Sequence, residues 1–345
     1  MSEPIRFGAI GCGDIVERSF IPSLRHVDGA ELIAATRQDH SKVGAFCKAH
    51  AIDRPYRSAA ELMQDPDVDV IYVATPVGSH AEYVAAAAEH GKHVLCEKPF
   101  GKNLAEARLA AEACGAHGVR LFVAYYRRGF PEVVKIREWL QRGLFGERIT
   151  IRLHNGSWYM PAIDEPGAWR IDARLGGGGV LIDIGSHRLD LVCHLFGLPA
   201  RVMCRTGKAG RDDWSVEATA TVLGEFDAGD EAQVTLSWAQ QRDTDQLWLY
   251  GTDASVYCPH LGRGRLILRT DGGEETIDTG ATPKALTHVP VIAGVVSGLL
   301  DGRPGAFGIE ETLPTQSLID SSYRSARESR WVDVLETPER PGTRW

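Results

Sequence analysis

The sequence predicts an α/β fold, with an N-terminal parallel-sheet domain and a C-terminal α+β domain built on a large, mostly antiparallel open sheet. Three observations predict it. Short, continuous apolar runs alternate with helix-periodic segments through the first third. A Gly-x-Gly turn at 11–13 stands between the first such run and the first helical segment. Past about residue 126 the texture changes to strand-length segments of period two. A chain of 345 residues is long for one core, so two domains are expected, 1–125 and 126–345.

The elements follow in order. Residues 5–10 form an apolar run, 15–26 have helical spacing, 31–35 are apolar again, and 41–50 read as helix. Ser58 is suited to cap a short helix over 59–64. Residues 68–74 are a continuous run, as a strand covered on both faces requires. An alanine-rich helix over 79–90 is stopped by Gly91. Strand 93–96, helix 104–116 and strand 120–124 complete the alternation. The second part opens with an amphipathic helix over 131–142. Strands are then expected at 148–155, 202–205, 217–223, 232–240, 246–250, 255–258, 265–269 and 275–279. Helices near 290–300 and 310–325 precede a last strand at 331–334, and the tail from Pro338 is expected to be loosely held.

Composition narrows the function classes. Hydrophobic residues make up 43% and charged residues 24%, as in ordinary globular proteins. The net charge of −8 and the lack of a dense basic stripe argue against nucleic acid as a partner. The seven cysteines show no paired spacing and read as reduced thiols of a cytoplasmic protein. The N-terminus shows no secretion signal, and no apolar run reaches membrane-spanning length. Cys193-His194 lacks further ligands at matching spacing, so no metal site is expected.

Gly11-Cys12-Gly13-Asp14-Ile15-Val16 follows a strand and opens a helix, the context of a Rossmann dinucleotide fingerprint. Gly11 permits the tight turn, and Gly13 lets the backbone approach a pyrophosphate at a helix N-terminus. Gly11, Gly13, Asp14 and Ile15 are the expected contacts of that turn. A plain strand–helix turn is the alternative. The second strand ends Ala35-Thr36-Arg37, with no acid at its tip; Asp39 follows slightly later. A hydroxyl and a guanidinium suit a 2′-phosphate, so NADP(H) is favoured over NAD(H) through Thr36 and Arg37. Thr75, Pro76 and His80 follow the buried strand at 68–74, and Glu97-Lys98-Pro99 follows the next. Both stand at the carboxyl edge of the sheet, where ligands bind such folds. His80 reads by preference as a cap or core histidine; Lys98 reads as pointing into the crevice at that edge, with a surface lysine in a turn as the alternative.

Far downstream, Gly178-Gly179-Val180-Leu181-Ile182-Asp183-Ile184-Gly185-Ser186-His187 carries a carboxylate and an imidazole four residues apart. On a helix these share one face. An imidazole exchanges protons near neutral pH. Trp158, Tyr159, Trp169, Arg170, Tyr126 and Arg127 are polar-substrate candidates, with Tyr126, Trp169 and Arg170 preferred. Their alternative is ordinary core packing and surface decoration.

The ordered set Gly11-x-Gly13, Ala74-Thr75-Pro76…His80, Glu97-Lys98-Pro99 and Trp169-Arg170…Gly176-Gly177-Gly178-Gly179-Val180-Leu181-x-Asp183-x-Gly185-x-His187-x-x-Asp190 resembles the Gfo/Idh/MocA oxidoreductase family. That family includes glucose–fructose oxidoreductase and inositol dehydrogenases, and the resemblance covers nearly the whole chain. It implies NAD(P)-dependent alcohol–carbonyl interconversion on a sugar, polyol or related compound. It also implies that Lys98, Asp183 and His187 are the catalytic residues, with Glu97 and Lys98 at the cofactor. Val16 and Val77 depart from the pattern, at the third small-residue position and where asparagine often follows the proline. Two rival activities on the same fold are a glycosidase or lyase acting by transient oxidation and a non-catalytic nucleotide sensor. The open second sheet suggests a homodimer or homotetramer.

Overall fold

The computed structural model describes residues 3–162, 164–165, 167–302 and 305–334. The tail from Pro338 lies outside them. Two compact units are formed, Met1–Tyr126 with Pro283–Thr312, and Arg127–Thr282 with Leu313–Trp345. The first unit thus takes in a late segment that the division at 125/126 leaves in the second. The cause is apolar. Val291, Ile292 and Val295, from the helix Val289–Leu300, and Phe307 enter the same core as Phe7, Phe20, Tyr72 and Phe122.

The first unit has six strands: β1 (Ile5–Ile10), β2 (Ala30–Thr36), β3 (Arg54–Pro55), β4 (Val70–Val73), β5 (His93–Cys96) and β6 (Leu121–Val123). They lie in the order β3-β2-β1-β4-β5-β6, every neighbouring pair parallel. The order reverses between β1 and β4. At such a point the carboxyl ends of the strands leave a crevice. All four residues of β4 are fully buried, which is why its sequence reads as an unbroken apolar run. The helical segment expected at 15–26 is realised in two pieces. A wide π-turn, Val16–Phe20, closes with the Ile21 N–H donating to the Val16 carbonyl; one α-turn, Ile21–Leu24, follows. Pro22 has no N–H to continue the regular ladder from below, which accounts for the irregularity.

The second unit holds β7 (Arg148–Trp158), β8 (Arg201–Gly207), β9 (Thr219–Glu225), β10 (Glu231–Ser237), β11 (Ala239–Gly251), β12 (Ala254–Cys258), β13 (Arg265–Thr270), β14 (Gly273–Asp278) and β15 (Val332–Asp333). Their order is β14-β13-β12-β11-β7-β10-β9-β8-β15. All neighbours are antiparallel except β10 and β7. The strands expected at 232–240 and 246–250 are β10 and the thirteen-residue β11; a register shift between Ala239 and Thr244 separates the two parts of the latter. One sheet face is covered. The helix Gly185–Phe196 lies on β10 and β7, and a Cβ on Gly185 would stand 2.6 Å from Leu236 Cδ1. On the opposite face the register aligns a row, Tyr257, Trp248, Arg152, Gln233 and Leu223, across five strands.

Candidate functional site

The first unit holds the residues read from the sequence as nucleotide contacts. β1 ends at Gly11, whose φ is +91° and whose absent Cβ would lie 2.7 Å from the Ala74 carbonyl oxygen. Any side chain there would collide with the backbone at the tip of β4. Gly13 is different: a Cβ on it would meet no heavy atom within 4 Å. Its exposed backbone faces open space at a helical N-terminus, the cradle a pyrophosphate needs. Asp14 is exposed and pairs with Arg18 at 3.7 Å, and Ile15 is half-buried. The Cys12 thiol is turned inward, donating to the Thr36 carbonyl at 3.3 Å, and burial pushes it up to about 12.

At the tip of β2, Thr36 is 3% exposed and its hydroxyl is buried, whereas Arg37 is half-buried with its guanidinium 6.0 Å from the Phe46 ring centre. Asp39 is held by its own loop. Lys42 donates to it at 2.7 Å and the Ser41 hydroxyl at 2.5 Å, and these bonds bring its carboxyl down to about 2.

Thr75 and Lys98 stand just past β4 and β5, on the same carboxyl edge as Gly11. The Thr75 hydroxyl accepts from Ser79 at 2.8 Å, and Pro76 is exposed. His80 is buried, with its Nε2 2.7 Å from the Thr75 carbonyl and its Nδ1 2.7 Å from the Pro99 carbonyl. It therefore ties two strand tips together. Burial lowers its pKa, and the two carbonyls oppose that shift. Glu97 is 8% exposed and accepts from Tyr72 Oη and His288 Nε2, each at 2.8 Å. Burial alone would raise the Glu97 carboxyl, but the His288 and Tyr72 bonds hold it below its ordinary value. Lys98 is half-buried, and the Lys98–Pro99 peptide is cis. Tyr126 packs its ring on His288, centroids 5.1 Å apart.

The downstream candidates lie in the second unit. Asp183 closes the turn Val180–Asp183 and His187 lies in the first turn of Gly185–Phe196. Ile184 between them keeps right-handed helical angles, so the expected one-turn spacing holds. Asp183 pairs with Arg170 Nε at 3.3 Å, and the Arg170 guanidinium lies 4.4 Å from the Trp169 ring centre. His187 is 4% exposed. Asp190, one turn on, is fully buried and takes Arg128 on both oxygens and the Thr315 hydroxyl at 3.0 Å. Among the other substrate candidates, Arg127 donates to buried Asp245 at 2.6 Å, Tyr159 donates to the Gly167 carbonyl at 2.7 Å, and Trp158 is 57% exposed.

The glycine run is explained by residues the sequence does not single out. Glu217, preceding β9, places one carboxylate over the start of the helical segment. It accepts the Gly179 N–H at 3.0 Å, the Leu181 N–H at 2.9 Å and the Tyr323 hydroxyl at 2.8 Å. Burial raises its pKa despite these donors. A Cβ on Gly179 would stand 2.0 Å from the Glu217 carbonyl oxygen, and one on Gly178 would stand 2.1 Å from Tyr323 Oη. We predict that Gly179→Ala costs about 1–3 kcal/mol through overpacking and lowers turnover by moving Asp183 and His187. An unchanged melting temperature and rate would contradict this role.

No signal in the strand expected at 217–223 or in the helix expected at 310–325 marks Glu217 or its partner Tyr323. Among the described residues, no group of three or more His, Cys, Asp or Glu side chains is placed to hold a metal, and no helix is long and apolar enough to cross a membrane.

Comparison with known proteins agrees with this division of labour. Residues 5–125 match the model of the oxidoreductase family with an NAD-binding Rossmann fold, and 133–257 match the GFO/IDH/MocA C-terminal domain. The chain is 29% identical to D-apiose dehydrogenase of Paraburkholderia graminis over 338 residues, 94% of this chain and 88% of that protein. It is 28% identical to D-xylose 1-dehydrogenase (NADP(+)) 2 of Haloferax volcanii over 334 residues, 95% and 99% of the two. The fold matches aldose-aldose oxidoreductase from Caulobacter crescentus, solved with glycerol, with a TM-score of 0.87 at 24% identity over 96% of this chain and all of that one. With both domains matched in order, the chain belongs to the GFO/IDH/MocA oxidoreductases and is an NAD(P)-dependent dehydrogenase or reductase acting on CH–OH groups.

Proposed function

We propose that the chain interconverts an alcohol and a carbonyl on a sugar, polyol or related hydroxylated compound, with NADP(H) preferred to NAD(H). The observation that carries this reading is the meeting of the open Gly13 turn, Thr75 and the Glu97-Lys98-Pro99 tip at one carboxyl edge of one parallel sheet. The sugar dehydrogenases among its relatives support the substrate class.

Gly11, Gly13, Asp14 and Ile15 would hold the pyrophosphate, Arg37, beside buried Thr36, the 2′-phosphate, and Thr75, Pro76, His80 and Glu97 the wall beside it. Bound there, NAD(P) supplies the hydride acceptor or donor. His187 takes the hydroxyl proton in oxidation and returns it in reduction. The Lys98 ammonium stabilises negative charge developing on the reacting oxygen. Asp183 orients the hydroxyl, and its pairing with Arg170 fixes the carboxylate that would accept it. Trp169 and Tyr126 offer aromatic faces to the substrate.

The test is a screen of sugars and polyols with each cofactor, following absorbance of the reduced nicotinamide. Turnover without net change in cofactor would favour the transient-oxidation alternative. Binding without turnover of any substrate would favour the nucleotide sensor.

The assembly and compartment belong to the same reading. The row with half-buried Trp248 and Tyr257 and exposed Leu223 is the face expected to pair between subunits, giving a homodimer or homotetramer. Light scattering at micromolar concentration should report twice or four times the chain mass; a monomer would overturn the assignment. The seven cysteines are all buried thiols outside any disulfide, in keeping with a cytoplasmic setting.

A further inference from the structure

We infer that His288 is a positioning residue for Lys98, acting through the Glu97 carboxylate. The inference rests on the reading of Lys98 given above, and its geometry lies wholly within the first unit. β5 ends at Cys96, and the last ladder bond beyond it runs from the Glu97 N–H to the Val73 carbonyl at 2.9 Å. From Lys98 onward the strand no longer fixes the backbone. There the Glu97 side chain reaches the Lys98 backbone N–H.

Glu97 Oε1 receives Tyr72 Oη and His288 Nε2, while Oε2 faces the Lys98 N–H at 3.4 Å. A buried carboxylate with both donors in place has one orientation. With a donor removed it carries an unmet acceptor and turns to find another.

His288 is itself fixed on every side. Its ring is fully buried, edge-on to Phe20 and Tyr72, and tilted against Tyr126. Its Nδ1 lies 2.8 Å from Ser19 Oγ, which lies 2.6 Å from Thr287 Oγ1, and its backbone N–H donates to Ser23 Oγ at 3.1 Å. With a hydroxyl facing Nδ1, the Nε2 N–H is the donor left to bond the Glu97 carboxylate.

On the other flank of the lysine, His80 holds the Pro99 carbonyl. Lys98 is therefore bracketed by two side-chain anchors. Misplacement of a reacting group by about 1 Å costs on the order of a hundredfold in rate, so loosening one bracket should show in kcat.

The test compares wild type, His288→Phe, His288→Gln, Lys98→Ala and the Lys98→Ala/His288→Phe double variant, each as the full chain. His288→Phe should lower kcat by about ten- to a hundredfold, with cofactor affinity little changed. His288→Gln keeps an N–H that reaches Glu97 and should recover most of the loss. In the Lys98→Ala background, His288→Phe should add little, because the group it positions is gone. A merely structural role would lower the rate equally in both backgrounds.

Unchanged kcat in folded His288→Phe, or an undiminished loss without Lys98, would overturn the inference alone. Near-normal turnover in Lys98→Ala would remove the catalytic reading of Lys98 and this inference with it. Should His288→Phe not fold, Tyr72→Phe removes the other Oε1 donor and is read in the same two backgrounds, with the same outcomes deciding.

Discussion

Alanine at Lys98 or at His187 is expected to cut kcat by about 10²–10⁴-fold while leaving a folded protein. In the proposed reaction the two residues do different work. Removing His187 takes away the group that accepts the hydroxyl proton, so the loss should fall on the chemical step. Removing Lys98 leaves charge on the reacting oxygen unstabilised, a term that elsewhere accounts for a hundred- to a thousandfold. Neither change should unfold its unit. Lys98 is half-buried at a strand tip, and His187 sits on a helix whose packing rests on Leu189, Val192 and Leu195. Steady-state rates beside thermal melts separate the outcomes. Near-normal turnover with unchanged melting removes that residue from the mechanism, and loss of the folded state assigns it a structural role instead.

The second large effect concerns cofactor choice. Arg37→Ala should weaken NADP(H) binding by about ten- to a hundredfold, the worth of a charge-assisted hydrogen bond of about 1.5–3 kcal/mol, and leave NAD(H) nearly unchanged. The Thr36 hydroxyl is buried, so the weight of the preference falls on Arg37. Asp39 is the competitor, because its carboxylate would repel a 2′-phosphate if it turned toward the ribose. Its bonds to Lys42 and Ser41 hold it in its own loop. Titrating both cofactors against wild type, Arg37→Ala and Asp39→Ala decides the matter. Tighter NAD(H) binding by wild type, with Asp39→Ala gaining NADP(H) affinity, would reverse the assignment and leave the fold and the catalytic residues standing.

Much of this was legible in the sequence because the relevant signals are local. Parallel strands covered on both faces write continuous apolar runs, as in β4 and β5, and a turn that must pass under the Ala74 carbonyl writes glycine at position 11. The one-turn spacing of Asp183 and His187 is likewise a short-range pattern. The anchors are not local. Glu217 reaches back 38 residues to Gly179, and His288 reaches 191 residues to Glu97, and neither spacing leaves a periodic trace. The helix Val289–Leu300 shows the same limit. Its apolar composition announces burial, but composition does not name the surface that buries it.

That last helix bears on how the molecule is made. Residues 127–282 are synthesised between the sheet of the first unit and the segment that completes its core. At about 5–20 residues per second, the wait on a ribosome is on the order of ten seconds or more. Until residue 312 emerges, Phe7, Phe20 and Tyr72 lack Val291, Ile292 and Val295 as neighbours, and Glu97 lacks one donor. A fragment ending at Tyr126 is therefore expected to leave part of that apolar core uncovered, as a nascent chain of that length would.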